Sequence, residues 1–146
     1  MADAVAIVRP AAAVCKCRLT VVTDDTPVLV RADAIMLRQV VLNLLNNAID
    51  AAEPAGDISV HAGLERTDIG VSRAVVSVSD TGRGLAPEQL PRVFDPFFTT
   101  KDVGHGVGLG LAICQSFIEQ HGGSIRADSP GLGKGTTVRF ELPVPR

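Results

Sequence analysis

The chain has 146 residues and a net charge of −2, with 46% hydrophobic and 21% charged residues, as expected for one globular domain with a single core. Five Phe without Trp or Tyr argue against base-stacking platforms, and the lack of a basic run argues against duplex binding, so we expect no nucleic-acid partner. No apolar run is long enough to cross a membrane, so we expect no direct membrane contact. Three Cys without disulfide spacing favour a cytoplasmic location.

The first third of the chain contains a predicted helix and two predicted short strands. Residues 2 to 16 are rich in Ala and Val and predict a helix that Pro10 kinks or restarts. Two apolar runs, Arg18–Thr23 and Val28–Val30, flank a turn and predict two strands. Asp33 follows at a position suited to cap the N-terminus of a longer helix.

The longest predicted helix is Leu37–Ala52, which has no Gly or Pro and carries apolar residues at helical spacing. Asn43, Asn46 and Asn47 interrupt its apolar pattern, although Asn is a mediocre helix former. Asn43 and Asn47 are four residues apart and therefore share a face. Their amide oxygens suit a Mg²⁺ ion that phosphates also bind. They would equally suit a capped or solvated surface helix, and the helix alone leaves both readings open.

Two strands are predicted in the middle of the chain. Apolar and polar residues alternate over Ile58–Leu64, which indicates a half-buried strand, and Ala74–Asp80 predicts a second one. In the second strand Val76 and Val78 share a face with Asp80, which places a carboxylate on the core side at the strand end. An unpaired carboxylate there is unfavourable, so Asp80 requires a partner in the protein or on a ligand.

The remaining predicted elements are, in order, a turn at Thr81–Gly84, a short helix at Pro87–Val93, a long helix at Leu111–Gln120, and two strands with inner faces formed by Ile125 and Ala127 and by Thr136, Val138, Phe140 and Leu142. Five or six strands and three main helices thus occur in segregated runs. This order predicts an α+β fold, a two-layer α/β sandwich in which helices pack on one face of a mixed sheet.

A glycine-rich stretch, Gly106-Val107-Gly108-Leu109-Gly110, leads directly into the Leu111 helix. Glycines let the backbone approach an anion closely, and a helix N-terminus offers free N–H groups and the positive end of the dipole. No strand precedes the stretch, as a Rossmann fingerprint requires, and no Lys-Ser/Thr follows it, as a Walker loop requires. It predicts a phosphate-binding loop of another kind.

Four motifs occur in a characteristic order: Asn43 with Asn47 on a helix, Asp80-x-Gly82-x-Gly84 at a strand end, Phe94-Asp95-Pro96-Phe97-Phe98 on a loop, and Gly106-x-Gly108-x-Gly110 at a helix start. They resemble the N, G1, F and G2 boxes of the GHKL nucleotide-binding superfamily. The stretches LRQVVLNLLNNAIDA, FDPFFTTK and GVGLGLAICQSFIEQHGGSI are similar to the catalytic, ATP-binding domains of two-component sensor histidine kinases, especially nitrogen- and oxygen-sensing kinases with a short ATP lid. The resemblance covers residues 18–143.

The resemblance implies ATP and magnesium as cofactors and assigns residues to each. Asp80 would accept a hydrogen bond from the adenine amine, and Gly82 and Gly84 would let the loop close over the base. Asn47, with Asn43 beside it, would bind the Mg²⁺ that bridges the phosphates. The implied nucleotide contacts are completed by Leu85, Phe94, Lys101, Gly106, Val107, Gly108, Leu109, Gly110, Leu111 and Thr136.

Within that set, the resemblance implies three further roles. The lid glycines would wrap the triphosphate, Leu109 and Leu111 would act as hinges into the core, and Thr136 would contact adenine through water. Many relatives carry a basic residue directly after the second aromatic of the F box, where this chain has Thr99. Lys101 is therefore the candidate cation that neutralises the phosphates, and the catalytic residues would then be Asn43, Asn47 and Lys101. The alternative is that Lys101 is a solvated charge on the loop.

The acceptor histidine of a histidine kinase lies on a dimeric helical hairpin, often followed by an acid, and His61, His105 and His121 have no such setting. The resemblance therefore implies a donor domain that binds Mg-ATP and transfers its γ-phosphate to a histidine on a separate dimerisation domain, with a response regulator downstream. We expect residues 1–17 to be a linker or the end of a helix from that domain, 18–146 to be the catalytic domain, and the isolated domain to be monomeric. The parent kinase could be membrane-anchored.

Three alternatives remain open at this point: a stand-alone serine kinase of the anti-sigma-factor type, a gyrase- or chaperone-type ATPase, and a non-catalytic nucleotide-sensing domain. The two enzymatic alternatives usually have an acid one turn before the metal-binding Asn, where this chain has the neutral Asn43. Retention of all four boxes argues against the non-catalytic alternative.

Overall fold

The computed structural model describes residues 2–14, 16–23, 30, 32–52, 55–66, 68–70, 72–95 and 110–144. Its elements are α1 (Ala2–Val14), β1 (Arg18–Thr23), α2 (Ala34–Ala52), β2 (Asp57–Arg66), β3 (Ser72–Asp80), a 3₁₀ turn (Leu90–Arg92), α3 (Gly110–Gln120), β4 (Ser124–Asp128) and β5 (Thr136–Pro143). Within these ranges the expectation of five or six strands and three main helices is met.

The five strands form one mixed sheet in the order β1-β2-β3-β5-β4. β1 pairs with β2 in parallel, and the remaining pairs are antiparallel. The register places Asp80, at the end of β3, between Ile58 of β2 and Thr136 of β5. Asp80 therefore lies in the interior of the sheet, flanked by a strand on each side.

The hydrophobic core lies between the helices and one face of the sheet. The inner face contributes Val60, Val78 and Phe140, and α2 and α3 contribute Leu45 and Ile118; all five are at most 2% exposed. Burying one such side chain stabilises a fold by about 1.5–3 kcal/mol. The predicted two-layer α+β sandwich with a mixed sheet is confirmed.

The outer face of the sheet is polar. Arg139 forms an ion pair with Glu65 at 2.7 Å, and the hydroxyl oxygens of Ser79 and Thr137 lie 2.8 Å apart. Antiparallel sheets commonly have one solvated face. Exposed ion pairs of this kind contribute little stability, so the sheet is held mainly from its helical side.

Helix α2 begins at Ala34, earlier than the predicted Leu37, because Asp33 caps it. The Asp33 Oδ1 atom accepts hydrogen bonds from the backbone N–H groups of Ile35 (2.9 Å) and Met36 (3.0 Å), which confirms Asp33 as the N-cap. At the other end, the Ala52 carbonyl accepts a hydrogen bond from the Gly56 N–H at 3.0 Å.

Two expectations about short segments need correction or qualification. The helix predicted over Pro87–Val93 is only a 3₁₀ turn at Leu90–Arg92, because Pro91 lacks an N–H and so short a segment cannot propagate an α-helix. Of the strand predicted at 28–30, Val30 lies in no strand and the other two residues lie outside the described residues.

Helix α1 runs through Pro10 without a break and ends at Val14, short of the predicted residue 16. Its Val5 and Ala12 side chains are buried in the same core as α2. The described part of segment 1–17 therefore packs against the domain. In the described part of the chain, no helix is long and apolar enough to cross a membrane.

Candidate nucleotide-binding site

The candidate site lies at the end of β3, where α2 contacts both the loop after Asp80 and the start of α3. The Arg83 N–H donates to the Ala51 carbonyl of α2 at 3.1 Å. A Cβ on Gly110, the first residue of α3, would lie 3.9 Å from the Asn43 side-chain carbon. Helix α2 thus connects two of the predicted motifs directly.

Asp80 is half-buried, and its carboxylate is only partly satisfied by the protein. Its Oδ1 atom accepts a hydrogen bond from the Gly82 N–H at 2.9 Å. Burial raises the pKa of Asp80, while backbone hydrogen bonds at Gly82 and Thr136 and the charge of Arg83 act in the opposite direction. A carboxylate offers about four acceptor positions, so Asp80 retains capacity for a donor group on a ligand.

Gly82 and Gly84 are required by backbone packing. A Cβ on Gly82 would overlap the Ala51 carbonyl group, and a Cβ on Gly84 would overlap the Gly131 carbonyl oxygen. Gly84 also has φ of 67°, in the left-handed region that favours glycine. The loop is thus wedged between α2 and the turn that joins β4 to β5, which is a structural reason for glycine in addition to the predicted closure over a base.

Ser129 holds this loop in place, a role that its local sequence did not predict. Its Oγ atom accepts a hydrogen bond from the Leu85 N–H at 3.0 Å and donates one to the Gly135 carbonyl at 2.7 Å. The Gly135 N–H in turn donates to the Gly82 carbonyl at 3.1 Å. The only sequence signal was a Ser opening a glycine-rich turn, which is common in loops that bind nothing.

The two predicted metal ligands share one face of α2, as expected. Asn43 and Asn47 are half-buried, whereas Asn46 is exposed. The Asn43 Nδ2 atom donates a hydrogen bond to the Cys114 Sγ atom of α3 at 3.6 Å, and burial raises the pKa of the Cys114 thiol. Within the described ranges, no group of three or more His, Cys, Asp or Glu could hold a metal. Amide oxygens that act together with phosphate oxygens fit Mg²⁺.

The other predicted site residues fall into two groups. Leu85 is buried, Phe94 and Leu111 pack against the core, and Thr136 pairs with Asp80. The second group, which lies outside the described residues, comprises Lys101, Gly106, Val107, Gly108 and Leu109.

Two of the three histidines belong to the described residues. His61 is exposed on the outer face of the sheet. His121 follows α3, and its Nδ1 atom lies 2.8 Å from the Phe117 carbonyl oxygen at the C-terminus of that helix. His105 lies outside the described residues.

Comparison with known proteins gives consistent results. Residues 32–146 match a family model described as histidine kinase-, DNA gyrase B- and HSP90-like ATPase. The sensor histidine kinase ZraS of Salmonella typhimurium is 45% identical over 127 residues, which are 87% of this chain but only 26% of ZraS.

Solved structures agree with this match. The nucleotide-free catalytic domain of histidine kinase ThkA has a TM-score of 0.83 and 31% identity, over 97% of this chain and 88% of that domain. Histidine kinase ThkA in complex with response regulator protein TrrA has a TM-score of 0.80 and 29% identity, over 98% of this chain and 39% of that one. The chain therefore belongs to the family of histidine kinase-, DNA gyrase B- and HSP90-like ATPases, with the fold of a sensor histidine kinase catalytic domain, as its motifs predicted.

Proposed function

We propose that this chain binds Mg-ATP and donates the γ-phosphate to a histidine on a separate dimerisation domain, as the catalytic part of a two-component sensor kinase. The observation that carries the proposal is the half-buried Asp80 carboxylate, which has spare acceptor capacity and is followed by a loop that contacts the helix bearing Asn43 and Asn47. The likeness of this chain to histidine kinase ThkA, which was solved in complex with a response regulator, supports a response regulator as the downstream partner.

Asp80 recognises the adenine base in this proposal. The exocyclic amine of adenine is a hydrogen-bond donor, and a carboxylate is an acceptor with no donor of its own when ionised. Thr136 lies directly opposite Asp80 in the β3–β5 pair, and we assign its hydroxyl a water-mediated contact with the base. Ser129 and the two glycines keep this end of the site rigid, which limits the ordering cost of binding.

Asn43 and Asn47 serve the phosphate end. Their amide oxygens would hold Mg²⁺, which when bound neutralises phosphate charge and orients the γ-phosphoryl group. The proposed phosphate contacts are completed by Lys101 and by the glycine-rich stretch, which consists of Gly106, Val107, Gly108, Leu109 and Gly110. Leu111 and Gly110 begin α3 and would anchor that stretch on the core.

The proposed acceptor is a histidine rather than water, because Asn43 is a poor general base. Its neutral amide cannot take a proton near neutral pH, and positioned bases typically contribute about 10²–10⁴-fold to such reactions. A neutral imidazole is itself nucleophilic and needs less assistance. We assign residues 1–17 to the connection with the dimerisation domain, with α1 resting on the catalytic domain, and we expect the isolated chain to be monomeric.

The test is phosphotransfer with radiolabelled ATP and a histidine hairpin from a related kinase, supplied as a separate protein. Acid-labile label on the hairpin, dependent on its histidine and on Mg²⁺, is the expected result. The matched control is a hairpin whose histidine is replaced by Gln. A parallel reaction contains an anti-anti-sigma factor in place of the hairpin.

Three outcomes would contradict the proposal. Acid-stable label on a serine of the anti-anti-sigma factor would indicate the serine-kinase alternative. Steady phosphate release that disappears in the Asn47→Ala variant would indicate an ATPase. Stable label on this chain itself would mean that His61, His105 or His121 is an acceptor.

A further inference from the structure

Cys114 is a buried thiol beside the proposed metal site, and the proposed function gives it no role. It lies on α3, is 0% exposed, and faces α2 at the level of Asn43. Two hydrogen bonds connect it to that helix: Asn43 Nδ2 donates to Sγ at 3.6 Å, and Sγ donates to the Val40 carbonyl oxygen at 3.9 Å.

These two contacts have a consistent direction. The thiol proton points to the Val40 carbonyl, so the sulfur lone pairs are available to the Asn43 N–H. Because the amide nitrogen is committed to Cys114, the Asn43 carbonyl oxygen must point to the other side of the planar amide. Without an acceptor at position 114, the amide could rotate and present its NH₂ group in place of the oxygen.

The start of α3 leaves room at this amide. Gly110 has no side chain, and a Cβ there would already lie at van der Waals distance, 3.9 Å, from the Asn43 side-chain carbon. Cys114 therefore holds one end of the amide within the core, and Gly110 itself adds no side-chain atom beside that amide. Only the oxygen end is useful to a cation, since an NH₂ group cannot bind one.

We infer that Cys114 is a positioning residue that fixes the Asn43 amide with its carbonyl oxygen directed to the metal and phosphates. The inference rests on the proposed function, because it assigns the orientation a purpose at a Mg²⁺ site. It extends to this chain the general rule that groups behind a metal ligand orient it and tune its affinity.

The test compares ATP affinity in Mg²⁺ with ATP affinity in EDTA by calorimetry, and the ratio is the magnesium enhancement. Cys114→Ala removes the acceptor, and a neutral hydrogen bond of this kind corresponds to a loss of about two- to tenfold in the enhancement. Cys114→Ser restores a hydroxyl acceptor and should recover most of it. Affinity in EDTA should change little in either variant.

The matched control is Ile118→Val. Ile118 lies one turn further along the same ridge of α3, is also 0% exposed, and has only apolar atoms. The Ile118→Val substitution should leave the magnesium enhancement unchanged even if it lowers thermal stability. If Cys114→Ala does not fold, Cys114→Val fills the space without an acceptor and should show the same loss.

Two further measurements separate positioning from packing. In the Asn43→Ala background, Cys114→Ala should have no additional effect on the enhancement, because the group that it orients is gone. In the nucleotide-free domain, the Asn43 side-chain amide signals in NMR spectra should shift in Cys114→Ala and stay in place in Ile118→Val.

Equal losses in Cys114→Ala and Ile118→Val, or a loss that persists in the Asn43→Ala background, would overturn the inference. Unchanged Asn43 amide signals in Cys114→Ala would overturn it as well. If the wild-type chain shows no magnesium enhancement at all, the proposed function fails first and the assigned purpose of Cys114 fails with it, whatever the NMR spectra show.

Discussion

Asp80→Asn is the change that separates ligand recognition from folding most cleanly. The substitution keeps the shape of the side chain but replaces one carboxylate oxygen by an NH₂ group. A backbone hydrogen bond at Thr136 reaches this carboxylate, and its Oδ1 atom accepts the Gly82 N–H at 2.9 Å. If the Asn oxygen keeps that bond, its NH₂ group faces the adenine amine, donor against donor; if the amide turns over, Gly82 loses its acceptor.

Either orientation removes one hydrogen bond to a charged acceptor, which typically contributes about 1.5–3 kcal/mol. ATP and ADP affinity should therefore fall by roughly 10- to 150-fold. Affinity for adenine-free ligands such as inorganic triphosphate should not change, because these contact only the phosphate end. Titration calorimetry with ADP, ATP and triphosphate measures all three.

Stability should respond differently from affinity. Because burial raises the folded-state pKa of Asp80 above its ordinary value of 3.8, the folded state binds the proton more tightly than the unfolded state does. The resulting stabilisation is fully present below pH 3.8 and is lost as the pH rises through the folded-state pKa. The Asn variant lacks this loss, so at neutral pH it should be no less stable than the wild type.

Urea unfolding over a pH series tests the predicted direction of this change in stability with pH. The stability of the wild type relative to the variant should decline as the pH rises from about 4, and should not increase. Unchanged nucleotide affinity in Asp80→Asn would remove Asp80 from the site. Parallel losses of affinity and neutral-pH stability would instead assign Asp80 a structural role.

Three further predictions concern the groups around Asp80. Asn47→Ala should abolish the magnesium enhancement of ATP binding and leave adenosine binding nearly intact; equal weakening of both in calorimetry would make Asn47 structural. Gly82→Ala should lower the free energy of unfolding by about 1–3 kcal/mol, because the new Cβ would overlap the Ala51 carbonyl. A urea denaturation midpoint equal to that of the wild type would contradict this close packing. Ser129→Ala leaves the Leu85 N–H without its acceptor and should cost about 1–3 kcal/mol in the same assay; an unchanged midpoint would show that the loop does not depend on the hydroxyl.

The sequence predicted the fold well wherever local periodicity decides structure. The apolar pattern of α2 and its Asp33 cap depend on neighbours within one or two turns, and the alternation in β2 and β3 reports directly which face is buried. The core-side position of Asp80 follows from the same alternation. These features require no knowledge of distant parts of the chain.

The contacts that local sequence patterns do not predict join residues far apart in the chain. Ser129 reaches Leu85 across 44 positions, and Cys114 reaches Asn43 across 71. Neither residue stands out locally, because a Ser in a turn and a Cys on an apolar ridge are common. Only the sheet order, which places β5 between β3 and β4, brings the Ser129 turn beside the Asp80 loop.

The last turn of α2 is capped mainly by the loop that follows Asp80. The carbonyls of Asp50 and Ala51, which a helix end leaves without internal partners, accept hydrogen bonds from the Arg83 side chain (3.4 Å) and the Arg83 N–H (3.1 Å). Local unfolding of that loop would therefore also fray the end of the helix that bears Asn47. The two regions should therefore open as one cooperative unit. A nucleotide bound at Asp80 would then slow amide hydrogen exchange in the last turn of α2, although the nucleotide itself does not contact that turn.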